Sequence, residues 1–113
     1  MDKQTEKEII DFQNLQQQLQ IIVMQRQQLA MQSAEMQKSL EEVKSSDGAL
    51  YRFVGTVIVP KKKAALEAEL KAEKETLDNR QSLMQKQEEK LRERYDMLRK
   101  KIEAELKKEK QAN

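Results

Sequence analysis

The chain has 113 residues, of which 37% are charged and 4% aromatic, and it contains two glycines and one proline. So few turn residues and large apolar side chains exclude a compact sandwich, barrel or doubly wound sheet, and the composition favours long helices. A net charge of +2 is too close to balance to direct the chain to nucleic acid or an anionic membrane, and without cysteine it has no disulfide.

The first predicted element is a helix over residues 4–44, a stretch that is rich in glutamine and free of glycine and proline. Its apolar residues recur at spacings of three, four and seven, which is the heptad pattern of a coiled coil. Arg26 and Ser33 interrupt one row of this pattern. The apolar positions are Phe12, Leu15, Leu19, Ile22, Leu29, Met36, Leu40 and Val43.

Residues 45–61 are predicted to form a loop and a β-hairpin. Gly48 suits the left-handed conformation that follows the last turn of a helix. The sequence LYRFVGTVIV at 50–59 is rich in β-branched and aromatic residues, as strands are. Gly55 lies in the middle of this run, which favours a turn near residues 54–56; the alternative is one continuous strand with Gly55 as a bulge.

The second predicted helix covers residues 61–110 and follows Pro60, whose fixed φ suits the start of a helix. Leucine or methionine recurs every seventh residue from Leu70 to Leu98. If the chain reverses between the helices, five apolar pairs share one register, with residue numbers that add to 106: Leu15–Leu91, Ile22–Met84, Leu29–Leu77, Met36–Leu70 and Leu40–Leu66. The predicted fold is therefore mainly α, an antiparallel two-helix coiled coil with a central β-hairpin; the alternative is that each helix pairs with another chain.

The predicted hairpin has too little sheet to be stable alone. Two strands of about five residues are marginal in water, and their outer edges lack hydrogen-bond partners. We therefore expect the hairpin to pair with strands of other subunits. The alternative is that it folds back over the helix ends.

The residue types for catalysis are scarce. The chain has no histidine to activate a serine, and neither glycine belongs to a phosphate-binding loop, so we expect no enzyme and no cofactor. The lysine and arginine clusters alternate with glutamate, which is typical of a solvated coiled-coil face rather than a nucleic-acid site. The apolar runs are too short to span a membrane and the N-terminus lacks a signal-peptide core, which together predict a cytoplasmic protein.

Several apolar residues cluster where both helices have their free ends. They either complete the helix–helix interface or form a semi-exposed apolar tip able to hold other proteins, and the sequence leaves both possibilities open. These residues are Ile9, Ile10, Phe12, Met97, Ile102 and Leu106.

Two motifs carry a family resemblance over nearly the whole chain. QQQLQIIVMQRQQL at 16–29 resembles the first helix of archaeal prefoldin β subunits, and LYRFVGTVIV at 50–59 resembles their central strand motif. A linker with room for one hairpin, not two, also resembles the β rather than the α type. The chain is thus similar to a prefoldin β subunit, as a single domain over residues 1–113.

The resemblance implies a chaperone subunit that holds unfolded proteins without ATP. Prefoldin is a hetero-hexamer of two α and four β subunits whose hairpins form intersubunit β-barrels and whose coiled-coil tips deliver clients to the group II chaperonin. Mapped here, the gripping ends are residues 1–20 and about 95–113. The interface residues are Tyr51, Phe53, Val54, Val57, Ile58 and Val59. The competing interpretation is a structural coiled-coil scaffold or tether that binds no client.

Overall fold

The computed structural model describes residues 2–112 and contains four elements. They are α1 (Lys3–Ser45), β1 (Leu50–Val54), β2 (Val57–Lys61) and α2 (Lys63–Ala112). Two long helices joined by a short antiparallel hairpin confirm the predicted fold class. The helix α2 begins two residues later than expected, because Lys61 still belongs to β2.

Side chains form hydrogen bonds with free backbone groups at both ends of α1. At its start, the Asp2 carboxylate accepts a hydrogen bond from the Thr5 backbone N–H at 2.7 Å, which is an N-cap. At its end, Lys63 Nζ donates to the backbone oxygens of Lys44 at 2.8 Å and Ser46 at 3.1 Å. A lysine at this position also complements the negative end of the helix dipole.

The predicted left-handed conformation of Gly48 is wrong. Among residues 2–112 a positive φ occurs at Gly55 alone. The Lys63 ammonium binds the carbonyl oxygens of Lys44, in the last turn of α1, and of Ser46, just beyond it, in place of the usual glycine cap.

The hairpin turn lies at Gly55 and Thr56, between the directly paired Val54 and Val57. Gly55 has φ 62°, and Thr56 has a negative φ. One positive φ at the first of two turn residues is the signature of a type II′ turn, which matches the twist of paired strands. The predicted turn at residues 54–56 is confirmed, and the continuous strand with a bulge is wrong.

Pro60 lies inside β2, opposite Tyr51, and not at the start of α2 as the sequence suggested. Residues flanking a two-residue turn form a hydrogen-bonded pair, and such pairs alternate with non-hydrogen-bonded ones along the ladder. Counting from Val54 and Val57, the pair of Tyr51 and Pro60 is not hydrogen-bonded. The proline nitrogen therefore points away from β1, and no hydrogen bond of the hairpin is lost.

The described residues form two compact units, 27–82 and 2–26 with 83–112. In the unit 27–82, the apolar core consists of Leu40, Val43, Leu66 and Leu70, with Met36 and Leu50 packed against it. Two of the five predicted pairs, Leu40 with Leu66 and Met36 with Leu70, thus lie in one cluster. Leu50 is the first residue of β1, so this core also holds the base of the hairpin.

In the unit 2–26 with 83–112, apolar and polar residues share the interface between the helices. Leu15, Leu19 and Ile102 are buried. Glu88 is also buried, although we had expected the charged residues of both helices to lie on a solvated face. Glu88 lies in the interface because Arg26 of α1 approaches it there, with Nε 3.2 Å from Oε2.

Candidate functional site: the hairpin and the free helix ends

The hairpin has one face against α2 and one face exposed. Opposite residues of an antiparallel pair share a face, and faces alternate along each strand. Leu50 and Arg52 with their partners Lys61 and Val59 are half-buried. The other face carries exposed side chains: Tyr51, Phe53, Ile58 and Pro60.

The six predicted interface residues are therefore divided between the two faces. Tyr51, Phe53 and Ile58 share the outward face, and Phe53 is the most exposed of them at 72%. Val54 and Val57 lie beside the turn on the α2-facing side but are exposed, and Val59 is half-buried. Five large apolar side chains exposed on ten strand residues form a surface of the kind that a partner usually covers.

The outer edges of the two strands offer different hydrogen-bonding groups. Within residues 2–112 the sheet contains two strands, so neither outer edge has a strand partner. Tyr51 and Phe53 belong to the non-hydrogen-bonded pairs of the hairpin, so both their N–H and their C=O groups point outward from β1. On β2, Ile58 directs both groups outward, whereas Pro60 offers only its C=O. The edge of β1 can thus continue a ladder without interruption, and the edge of β2 lacks one donor.

A network of charged side chains joins both strands to α2. Arg52 donates from Nη1 to Glu69 Oε2 at 2.9 Å and from Nη2 to Glu73 Oε2 at 2.7 Å. Lys61 donates to the other Glu69 oxygen at 2.8 Å. Glu73 and Glu69 raise the pKa of Arg52, and hydrogen bonds from Lys61 and Arg52 lower the pKa of Glu69.

This network was not predicted from the sequence, although the sequence contains a signal for it. Arg52 interrupts an otherwise apolar strand, and a charge on the covered face of a strand needs a partner. Glu69 and Glu73 are four residues apart, so they share one face of α2. Neither observation fixes which acid meets Arg52, because that depends on how the hairpin lies on the helix.

At the free helix ends, the six predicted tip residues have different environments. Ile102 is buried, whereas Ile9 and Phe12 are half-buried, so these three contribute to the interface between the helices. Phe12 stacks on Tyr95 with ring centroids 4.5 Å apart. Exposed apolar side chains remain at Ile10, Met97 and Leu106. Residues 1 and 113, which belong to the predicted gripping ends, lie outside the described residues.

An ion pair between a buried carboxylate and an exposed lysine accompanies the apolar contacts at these ends. Lys101 Nζ lies 2.9 Å from Glu8 Oε1, and the Glu8 side chain is almost fully buried. Hydrogen bonds from Lys101 and Gln4 lower the pKa of Glu8. Next to this pair lies an open groove of about 580 Å³, which is lined by Leu15, Met97 and Leu98 and also by polar and charged side chains.

Residues 2–112 were also searched for a metal site and for a membrane-spanning helix. They contain no group of three or more acidic side chains arranged to hold a metal ion. No helix among them combines the length and the apolar character needed to cross a bilayer.

Comparison with known proteins identifies the family. The model of the family described as "Prefoldin subunit" matches residues 6–109. The prefoldin β subunit of Thermococcus kodakarensis is 38% identical over 97 residues, covering 84% of this chain and 83% of its own length. That of Archaeoglobus fulgidus is 36% identical over 102 residues, with 88% of each chain covered.

The chain belongs to the prefoldin subunit family. A crystal structure of the prefoldin β subunit from Thermococcus strain KS-1 matches with a TM-score of 0.87 at 36% identity, and 93% of this chain and 94% of that one are covered. The resemblance to archaeal prefoldin β subunits is therefore confirmed. Prefoldin subunits are parts of chaperones and not enzymes.

Proposed function

We propose that this chain is a β-type subunit of a cytoplasmic prefoldin hexamer with two α and four β subunits. In this proposal the assembly holds unfolded proteins at the free helix ends without ATP and delivers them to a group II chaperonin. The observation that carries the proposal is the hairpin, which combines unpaired strand edges with exposed apolar side chains. Such a surface is stable in water when other subunits cover it.

Intersubunit strand pairing would use the two edges differently. The uninterrupted β1 edge suits a full ladder with a neighbouring strand, and the β2 edge suits a shorter one that stops at Pro60. Tyr51, Phe53 and Ile58 would then be buried by a neighbouring hairpin. Burial of these side chains supplies the free energy of assembly at about 25 cal/mol per Å² of apolar surface.

Client binding at the free ends would be weak for each subunit. Ile10, Met97 and Leu106 offer a small apolar area, and methionine adapts to partners of different shape. Several chains held on one body raise the effective concentration of such ends, so a client is held firmly while each contact remains exchangeable. Apolar contact of this kind needs no nucleotide.

The mass of the complex that this chain forms with an α subunit tests the assembly proposal. We expect the chain mixed with a prefoldin α subunit to give a species with the mass of two α and four β chains in analytical ultracentrifugation. A monomer or simple dimer in the presence of α subunit would contradict the proposal and favour the scaffold or tether without clients.

The holding proposal is tested with matched double variants of the assembled hexamer. Ile10→Ser with Met97→Ser changes side chains at the free ends that are 57% and 72% exposed. The control, Ile21→Ser with Met24→Ser, changes the same residue types at 55% and 69% exposure. A denatured client that aggregates scatters light, and the hexamer should suppress this scattering without nucleotide. We expect Ile10→Ser with Met97→Ser to weaken the suppression and the control pair to leave it unchanged. Equal losses in both variants, or no suppression by the wild type, would contradict the proposal.

Delivery is tested by measuring how fast a client passes from the hexamer to a chaperonin. A fluorescent client held by the hexamer should move to an added group II chaperonin faster than it dissociates into buffer. Equal rates would contradict delivery and leave holding unaffected.

A further inference from the structure

We propose that Arg52 positions the hairpin for assembly: by binding Glu69 and Glu73 of α2 it fixes the tilt at which the outward face is presented to a neighbouring subunit. The inference rests on the proposed function, in which the hairpin is the assembly surface. It concerns the strand residue that faces α2, not the apolar residues that would contact the neighbour.

The apolar contacts hold the hairpin at its base. Leu50 packs on the core formed by the helices, but the residues beyond it, from Phe53 to Ile58, are exposed. A two-stranded hairpin is only marginally stable by itself. On the α2-facing side, Leu50 packs on the core and Val59 is half-buried, so apolar contact near the base leaves the distal part free to tilt.

Arg52 supplies the second attachment point. It lies two residues beyond Leu50 on the same face of β1 and reaches two acids one turn apart on α2. Lys61, opposite Leu50 on β2, binds the same Glu69 carboxylate. Both strands are thus tied to one acid of α2, which resists tilting in either direction.

The chemistry of arginine suits this role better than that of lysine. The planar guanidinium directs several N–H groups at fixed angles, so one side chain can hold two carboxylates in a defined geometry. Individual exposed ion pairs contribute little, but here three of the four side chains are at most about a third exposed and share partners. The network defines an orientation more than it adds stability.

The tilt can be measured directly because the chain has no cysteine. Spin labels on Thr56→Cys, in the turn, and Lys71→Cys, on α2, report the distance between hairpin and helix in the full chain. We expect Arg52→Met and the double variant Glu69→Gln with Glu73→Gln to broaden the distance distribution about twofold. Arg80→Met, an exposed arginine of α2, is the control and should leave the distribution unchanged.

Assembly provides the second measurement. We expect Arg52→Met to weaken association with the other subunits about tenfold, because a mobile hairpin must be ordered on binding. Arg52→Lys should have an intermediate effect, and the helix content by circular dichroism should stay at the wild-type level in all variants. Arg80→Met should assemble as the wild type does.

Two results would overturn the inference. One is a distance distribution in Arg52→Met as narrow as in the wild type, and the other is a broadened distribution with unchanged association. Failure of the wild-type chain to assemble would instead contradict the proposed function, and the distance measurement would still decide whether Arg52 orients the hairpin.

Discussion

The backbone conformation at Gly55 strongly disfavours any residue other than glycine. Its φ of 62° is in the left-handed region, and no atom lies within 4 Å of the position a Cβ would take. Substitution there is therefore opposed by backbone conformation and not by crowding. Gly48 also has open space around it, but its φ is not positive.

The two glycines provide a matched pair for mutagenesis. We expect Gly55→Ala to destabilise the hairpin by about 1–2 kcal/mol, the energy of placing an L-residue in the left-handed region. Gly48→Ala should be close to neutral. Urea unfolding of the isolated chain and association with the other subunits measure both effects, and equal losses for the two variants would contradict the turn assignment.

Arg26 and Ser33 show how single polar residues are accommodated between the helices. Each interrupts the apolar row of α1, and each meets an acid of α2: Arg26 binds Glu88, and Ser33 Oγ donates to Asp78 at 2.5 Å. Polar contacts of this kind in a coiled coil favour one register over its neighbours at some expense of stability.

Removing Arg26 should destabilise the chain. In Arg26→Met, the buried Glu88 carboxylate keeps only Arg92 at 3.6 Å, and we expect the free energy of unfolding to fall by about 1–3 kcal/mol in urea. Replacing both Arg26 and Glu88 by leucine should be neutral or stabilising. A double variant less stable than Arg26→Met would contradict this interpretation.

At the scale of the element, β2 is limited by its proline. Pro60 leaves every hydrogen bond within the hairpin intact and removes one donor from the outer edge. An edge that ends early is a common protection against uncontrolled strand pairing.

A residue with a backbone N–H at position 60 should therefore lengthen the part of the β2 edge that can pair with another strand. We expect Pro60→Val to increase self-association of the isolated chain, seen as a larger mass in sedimentation. Thr56→Val adds the same side chain at the turn without changing the edge and should sediment as the wild type does. Equal masses for Pro60→Val and the wild type would show that the missing donor at Pro60 does not limit pairing at the β2 edge.

For the whole molecule, ion pairs and one hydrogen bond connect residues of different elements. Glu8 with Lys101, Glu69 with Lys61 and Arg52, and Asp78 with Ser33 all join residues 8 or more positions apart. The pKa of each of these three acids is lowered by its partners, with Lys101, Lys61 and Lys74 as the largest causes.

Stability should accordingly decline in acid. A carboxyl group with a lowered pKa in the folded chain binds protons more readily when unfolded, so its contribution is complete above the ordinary glutamate value of 4.5 and is lost as the pH falls through the lowered pKa. Urea unfolding between pH 7 and pH 3 should show this decline. In the double variant Glu8→Gln with Glu69→Gln, the free energy of unfolding should fall less steeply with pH. A decline as steep as in the wild type would show that these two carboxylates are not its cause.

Both helices, the hairpin and their order along the chain could be predicted from the amino-acid sequence. Heptad spacing, which follows from the 3.6-residue turn of a helix, marked both helices, and the β-branched run with Gly55 located the hairpin and its turn. The pairs Leu40–Leu66 and Met36–Leu70 followed from matching the two patterns. These features depend on local periodicity, which a sequence displays directly.

The contacts between side chains of different elements became known from the three-dimensional structure. It placed Arg52 against Glu69 and Glu73, buried Glu88 and Ile102, and gave the cap of α1 to Lys63 instead of Gly48. Charged residues are frequent on both helices, so spacing alone offers many equivalent partners. The choice among them depends on the tilt of the hairpin and on how far long side chains reach between elements, and both are set by packing in three dimensions.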